Sequence, residues 1–185
     1  MTEPWTLEIH EALPDDWASV PAVAIGGPAG PAGLFVLAER AGARRRFDLH
    51  YLEFDYRHPP QATFWHGWFA FGFGGRAILH READGAAVEI DLGCYFDEFL
   101  AGDAYLLATS GQGIVKLDTE GRIAWRNDAL GLDGVLIFDV EDGIIDGQGE
   151  WDPPGGWRDF LVSLETGEAL PIEDAEGDDD DDDDS

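Results

Sequence analysis

Tyr105–Trp125, YLLATSGQGIVKLDTEGRIAW, reads as strand, tight turn, strand, tight turn, strand. Short apolar runs are broken by Gly-containing corners, which is the signature of consecutive hairpins. Related phrases lie on either side: Trp68–Ile90, WFAFGFGGRAILHREADGAAVEI, and Trp157–Ile172, WRDFLVSLETGEALPI. The corner pairs Asp84-Gly85 and Glu120-Gly121 are 36 residues apart, and Thr166-Gly167 follows 46 residues later. The extra length sits in a Trp- and Pro-rich insertion. Internal repetition at this period means one supersecondary unit used several times. The chain is therefore expected to be all-β, built from repeated antiparallel strand units.

The rest of the sequence fits that pattern. Thr6–His10, Val20–Ile25 and Leu34–Glu39 read as strands, the last two around a GGPAGPAG turn. Phe47, Leu49 and Tyr51 alternate with Asp48 and His50, as a half-buried strand requires. Ala41–Arg46 reads as a basic turn tip, and His58-Pro59-Pro60 ends that strand because proline lacks the ladder donor. In Phe64–Phe73 the rings of Phe69, Phe71 and Phe73 share one face. Ala70 and Gly72 share the other, where a second backbone or ring can lie close. The spacing of Tyr95, Phe96, Phe99 and Leu100 predicts one or two helical turns over CYFDEFLAG. Val135–Val140 and Gly143–Asp146 form a hairpin, Gln148–Gly156 is the insertion, and Arg158–Leu164 with Glu168–Ile172 closes the last hairpin.

Of 185 residues, 24 are glycine and 12% are aromatic, a balance suited to sheets and turns. Residues 1–172 are read as one β domain, and residues 173–185, with ten acids and no base, as a disordered tail. The net charge is −28. Without the tail, 29 acids still face 11 bases, a charge near −18. Such a body repels nucleic acid and anionic membrane surfaces, so a macromolecular partner is expected to be neutral or basic. Cys94 is the single cysteine, which precludes an intrachain disulfide and fits a reducing compartment. The acidic N-terminal stretch lacks the basic and apolar regions of a secretory signal. The uncharged run Trp17–Ala38 contains Pro21, Pro28, Pro31 and four glycines, which would break a spanning helix. One lysine against ten arginines has the skew of a GC-rich bacterial genome. Together these features give the expectation of a bacterial cytoplasmic protein.

LDTEGRIAW (Leu117–Trp125) resembles the strand-turn-strand phrase of quinoprotein-type β-propeller repeats. SLETGEAL (Ser163–Leu170) is similar without the Trp, and EADGAAVEI (Glu82–Ile90) is similar in its turn. The resemblance spans about Trp68 to Ile172 and implies propeller-like blades. With about three recognisable units, it implies a small or incomplete propeller, or an open curved sheet packed on another. No residue matches a cofactor-binding position of those quinoproteins, and no cofactor is expected.

Among candidate sites, the loop GEWDPPGGWRDF (Gly149–Phe160) stands out. Trp151 and Trp157 flank Asp152 and a Pro-Pro-Gly-Gly turn, and tryptophans on shaped loops serve as binding anchors. His50, His58, His66 and His80 show none of the HxH, HxxxH or HExxH spacings of a metal site, and none is assigned. Asp139, Glu141, Asp142, Asp146, Glu150 and Asp152 form an acidic cluster without EF-hand order, read as solvated turn acids. Asp97, Glu98 and Asp103 offer carboxylates that 39 acids would bring together by chance. Ser110 lacks the GxSxG context, and Cys94 has no recognisable His partner. Arg44-Arg45-Arg46 is read as pairing with nearby surface carboxylates.

The expected function is a non-enzymatic binding module contacting a partner through Trp151, Asp152 and Trp157. One alternative is an acidic decoy or neutraliser of a basic protein, in the manner of small acidic nuclease inhibitors. A second is a carboxylate- or metal-dependent hydrolase, which would need at least two of His58, His66, Asp97 and Asp152 to meet in a concave pocket.

Overall fold

A computed structural model describes residues 3–27, 31–50 and 58–172. The tail and Tyr51 lie outside the described residues. Among the described residues, sixteen strands and one turn of 3-10 helix, Asp15–Trp17, make up the regular structure. The first sheet holds β1 (Thr6–His10), β2 (Ala22–Ile25), β3 (Leu34–Arg40) and β4 (Ala43–Leu49), in the order β1-β3-β4-β2. The second is a meander of β5 (Gln61–Trp65), β6 (Trp68–Phe73), β7 (Arg76–Arg81) and β8 (Ala87–Asp91). The third repeats it with β9 (Phe96–Ala101), β10 (Leu106–Ser110), β11 (Ile114–Leu117) and β12 (Ile123–Asn127). The fourth repeats it again with β13 (Val135–Glu141), β14 (Ile144–Glu150), β15 (Trp157–Ser163) and β16 (Ala169–Leu170).

The four sheets stack face to face in chain order. Phe47 of the first sheet packs on Phe69 and Phe71 of the second, with ring centroids 4.8 and 4.9 Å apart. Ala70, Ala77 and Leu79 of the second meet Phe96, Leu106, Ala108 and Leu117 of the third. Leu107, Ile114 and Trp125 of the third meet Val135, Ile145, Phe160 and Val162 of the fourth. The middle sheets are covered on both faces, so β6 and β10 are buried at every residue. Burying a Phe or Leu fully contributes about 1.5–3 kcal/mol, and these interfaces hold a dozen such side chains, so the stack itself is the core. Gly72 faces the third sheet, and a Cβ there would fall inside the ring of Phe96. The expected close approach is therefore the one that seats the third sheet on the second.

The repeated corners are the turns between the last two strands of successive sheets. Asp84-Gly85 joins β7 to β8, Glu120-Gly121 joins β11 to β12, and Thr166-Gly167 joins β15 to β16. Gly85, Gly121 and Gly167 have φ of +74, +77 and +75°, a region that glycine enters at little cost. Each corner is held by an indole from the preceding sheet. Trp68 Nε1 donates to the Thr119 carbonyl at 3.1 Å, and Trp125 Nε1 to the Leu164 carbonyl at 2.9 Å. Trp5, just before β1, donates to the Glu82 carboxylate at 3.2 Å. The rings of Trp68 and Trp125 lie against Gly121 and Gly167, where no side chain obstructs them.

Three expectations need correction. CYFDEFLAG forms no helical turns; Phe96–Ala101 is β9, because Phe96 must face the second sheet while β9 pairs with β10. Ala41–Arg46 is mostly strand: the reversal is confined to Ala41 and Gly42, whose φ values are +49 and +80°, and β4 begins at Ala43. Val20–Ile25 and Leu34–Glu39 do supply strands, β2 and β3: β2 adds parallel to β4, and β3 lies between β4 and β1. Finally, there are four units rather than three, the first disguised by its different strand order.

Candidate functional site

The two ends of the stack differ. The outer face of the first sheet is roofed by the segment containing the 3-10 turn. Trp17 is buried there, with the Arg44 guanidinium 4.4 Å from its ring and Arg44 paired to Asp16 at 2.9 Å. The outer face of the fourth sheet carries no such roof among the described residues. Its register places Leu136, Gln148 and Asp159 in one row, Asp139, Asp146 and Leu161 in the next, and Glu141, Ile144 and Ser163 in a third. Glu150 and Trp157 form a fourth row at the loop end. The opposite face of the same strands, with Ile145, Gly147 and Val162, is buried.

This exposed face is apolar and acidic at once. Leu136 is 41% exposed, Ile144 37% and Trp157 38%; Phe138, in the β-bulge between Ile137 and Asp139, is 58% exposed. The acids Asp139, Glu141, Asp146, Glu150 and Asp159 surround them, and no lysine or arginine occupies those rows. Trp157 packs over Gly134, yet its indole N–H has no hydrogen-bond partner among the described residues. Trp68 and Trp125 each use that group to hold the next sheet. Trp157 belongs to the fourth sheet, the last among the described residues.

The expected loop residues are close in sequence but differently employed. Trp151 is half-buried and stacked by Arg158, whose guanidinium carbon lies 5.7 Å from its ring. Its backbone N–H donates to the Gly156 carbonyl at 2.8 Å, and Gly156 N–H donates to the Asp152 carbonyl at 3.0 Å, so the loop closes on itself. The Glu150 carboxylate accepts from Gly155 N–H at 2.6 Å. The Asp152 side chain is exposed. Sequence reasoning missed Leu136, Phe138 and Ile144, whose exposure depends on no described residue packing over the fourth sheet.

Two of the proposed catalytic groups do meet. His58 Nδ1 lies 2.8 Å from Asp97, and the imidazole is stacked on Tyr95 at 4.8 Å with the planes 3° apart. Tyr95 donates its hydroxyl to the Asp133 carbonyl. Burial raises the Glu98 carboxyl above its ordinary value, with the neighbouring Asp97 charge adding to the effect. Asp97 and Glu98 are adjacent in β9 and point to opposite faces, so they do not form a converging acid pair. His66 sits in the β5–β6 turn and His58 before β5, at opposite ends of that strand. Among the described residues no three His, Cys, Asp or Glu side chains converge as metal ligands, and no helix is long and apolar enough to cross a membrane.

No protein-family model and no curated protein sequence matches this chain. Among solved structures it is similar to BamB from Moraxella catarrhalis, a β-propeller, with a TM-score of 0.52 and 14% identity. The fold is propeller-like and open. The match covers 77% of this chain and 44% of that BamB, so the chain spans less than half the length of its relative. A looser likeness, to residues 644–1017 of HIRA, has a TM-score of 0.45 and 12% identity over 91% of this chain and 54% of that one. At these identities the likeness concerns fold alone.

Proposed function

We propose that this protein is a non-enzymatic interaction module of the bacterial cytoplasm that binds a basic protein on the outer face of its fourth sheet. The observation that carries this reading is Trp157, an exposed indole whose N–H, among the described residues, has no partner, set on a strand face that none of them covers, among aliphatic and acidic side chains. Large aromatic anchors with an apolar surround supply most of the energy of protein interfaces. Carboxylates at their margin add encounter rate and partner choice rather than raw affinity. The body charge favours arginine- and lysine-rich partners and disfavours acidic ones. Trp151 and Asp152 border the same loop and extend the surface at its rim.

The test is affinity capture from a bacterial lysate with the immobilised full chain and with a Trp157→Ser/Ile144→Ser variant. The parent is expected to retain basic proteins at low salt and release them at high salt. The variant should bind at least about tenfold more weakly with its melting transition preserved. Equal capture by both would overturn the assignment of this face.

The His58–Asp97 pair is the one observation favouring a hydrolase instead. It holds a histidine in a set orientation, as a general base requires. Neither residue lines any cavity described below, and the Tyr95 hydroxyl beside it is already committed to Asp133. The interaction reading is therefore preferred.

A further inference from the structure

A cavity of about 590 Å³ opens where the end of the first sheet meets the turns of the second and third. Arg45 enters it from β4, His66 and Trp68 from the β5–β6 turn, Arg81 and Glu82 from the β7–β8 turn, and Glu120 from the β11–β12 turn. In a chain with 39 acids and 11 bases, a guanidinium without a carboxylate is unexpected. Both neighbours of Arg45 in the triplet follow the expectation: Arg44 pairs with Asp16 at 2.9 Å and Arg46 with Asp48 at 2.7 Å. Arg45 has no carboxylate partner among the described residues. It donates to the Glu82 main-chain carbonyl at 3.4 Å and lies 6.0 Å from the Phe69 ring.

The acids of the cavity are already engaged. Glu82 is gripped by Arg40 and accepts from the Trp5 indole at 3.2 Å. Glu120 pairs with Arg122 at 2.9 Å. Arg81 lies 4.5 Å over the Trp68 ring and reaches outward to Asp84 at 3.2 Å, an exposed pair that solvent screens. The cavity thus presents two guanidiniums, one of them with no carboxylate partner among the described residues, beside an indole. The Arg45 charge is felt inside the fold as well, where it adds to the burial that lowers the pKa of His80.

We propose that this cavity binds a small organic anion, a phosphate or carboxylate borne on a planar apolar body, with Arg45 as its main anchor. The guanidinium fork matches both groups in a two-pronged geometry. Arg81 offers a flat face to a ring, and the volume suits a ligand of drug-like size. A polyanion would meet the whole molecule's repulsion, whereas one or two charges close to Arg45 are within the screening length. This site is separate from the face of the fourth sheet, and either can fail without the other.

The experiment titrates the full chain with phenyl phosphate, benzoate and inorganic phosphate, followed by calorimetry and by the indole Nε1 resonance of Trp68. Saturable binding of phenyl phosphate or benzoate with movement of the Trp68 signal is expected; the tighter of the two assigns the anionic group. Arg45→Gln should weaken binding at least about tenfold without lowering the melting temperature, because Arg45 holds no ion pair. Arg76→Gln, which removes a surface pair with Glu89, should leave binding unchanged. No saturation with any probe, or equal affinity in Arg45→Gln, would overturn the proposal. Binding about tenfold tighter after removal of residues 173–185 would assign the cavity to the chain's own acidic segment and equally overturn it.

Discussion

His80 is buried in β7 with its ring edge-on to Phe47 at 5.5 Å, and its Nδ1 has no hydrogen-bond partner. Burial, and then the positive charge of Arg45, lowers its pKa below the ordinary 6.5. The folded chain therefore resists a proton that the unfolded chain accepts. Its contribution to stability is complete above pH 6.5 and is lost as the pH falls below that value. Urea midpoints measured downward from about pH 7.5 should decline, and His80→Leu should flatten that decline and raise stability by about 1 kcal/mol at acidic pH. Parallel curves for parent and variant would contradict the role given to His80. Little of this was legible beforehand. A histidine next to Arg81 in a strand looks like a surface residue until the first sheet is laid over it.

At the scale of elements, indoles that join sheets, such as Trp68 and Trp125, separate from those that do not, such as Trp157. Trp125→Phe deletes the N–H that satisfies the Leu164 carbonyl, to which Lys116 also donates at 2.7 Å. A loss of about 1 kcal/mol in unfolding free energy is expected, detectable by denaturant titration. Trp157→Phe should change stability by no more than about 0.5 kcal/mol, since its indole N–H holds nothing. Equal losses for the two would deny the distinction between joined and exposed tryptophans. The strands of these sheets were readable from alternation and glycine corners because both are local properties. CYFDEFLAG misled because Tyr95, Phe96 and Phe99 satisfy a helical spacing and a strand pairing equally well. The pairing won when Phe96 found the space left by Gly72.

The described residues form an acidic, open stack with one end roofed and the other uncovered among them. Charge acts at this scale. Removing residues 173–185 deletes ten acids and should slow association with a basic partner while leaving the melting transition nearly unchanged. Stopped-flow association rates and thermal melts of the truncated protein check both halves of the statement. A large fall in melting temperature would show that the segment contributes to the fold. Trp157, singled out in the sequence, lies on the exposed face of the fourth sheet, and Trp151 packs in the loop beside it. The face itself was not legible, because Leu136, Ile144 and Trp157 would read the same if a fifth sheet covered them.

What the sequence determined is the local grammar: alternating side chains, glycine at corners that need positive φ, and an excess of carboxylate that sets the net charge at −28. These follow from backbone sterics and from charge counting, which need no neighbour in space. The stacking order, the parallel addition of β2, the uncompensated Arg45 and the bare fourth sheet were decided by tertiary structure. Each depends on which surfaces lie opposite one another, and burial and ion pairing exist only once those surfaces have met.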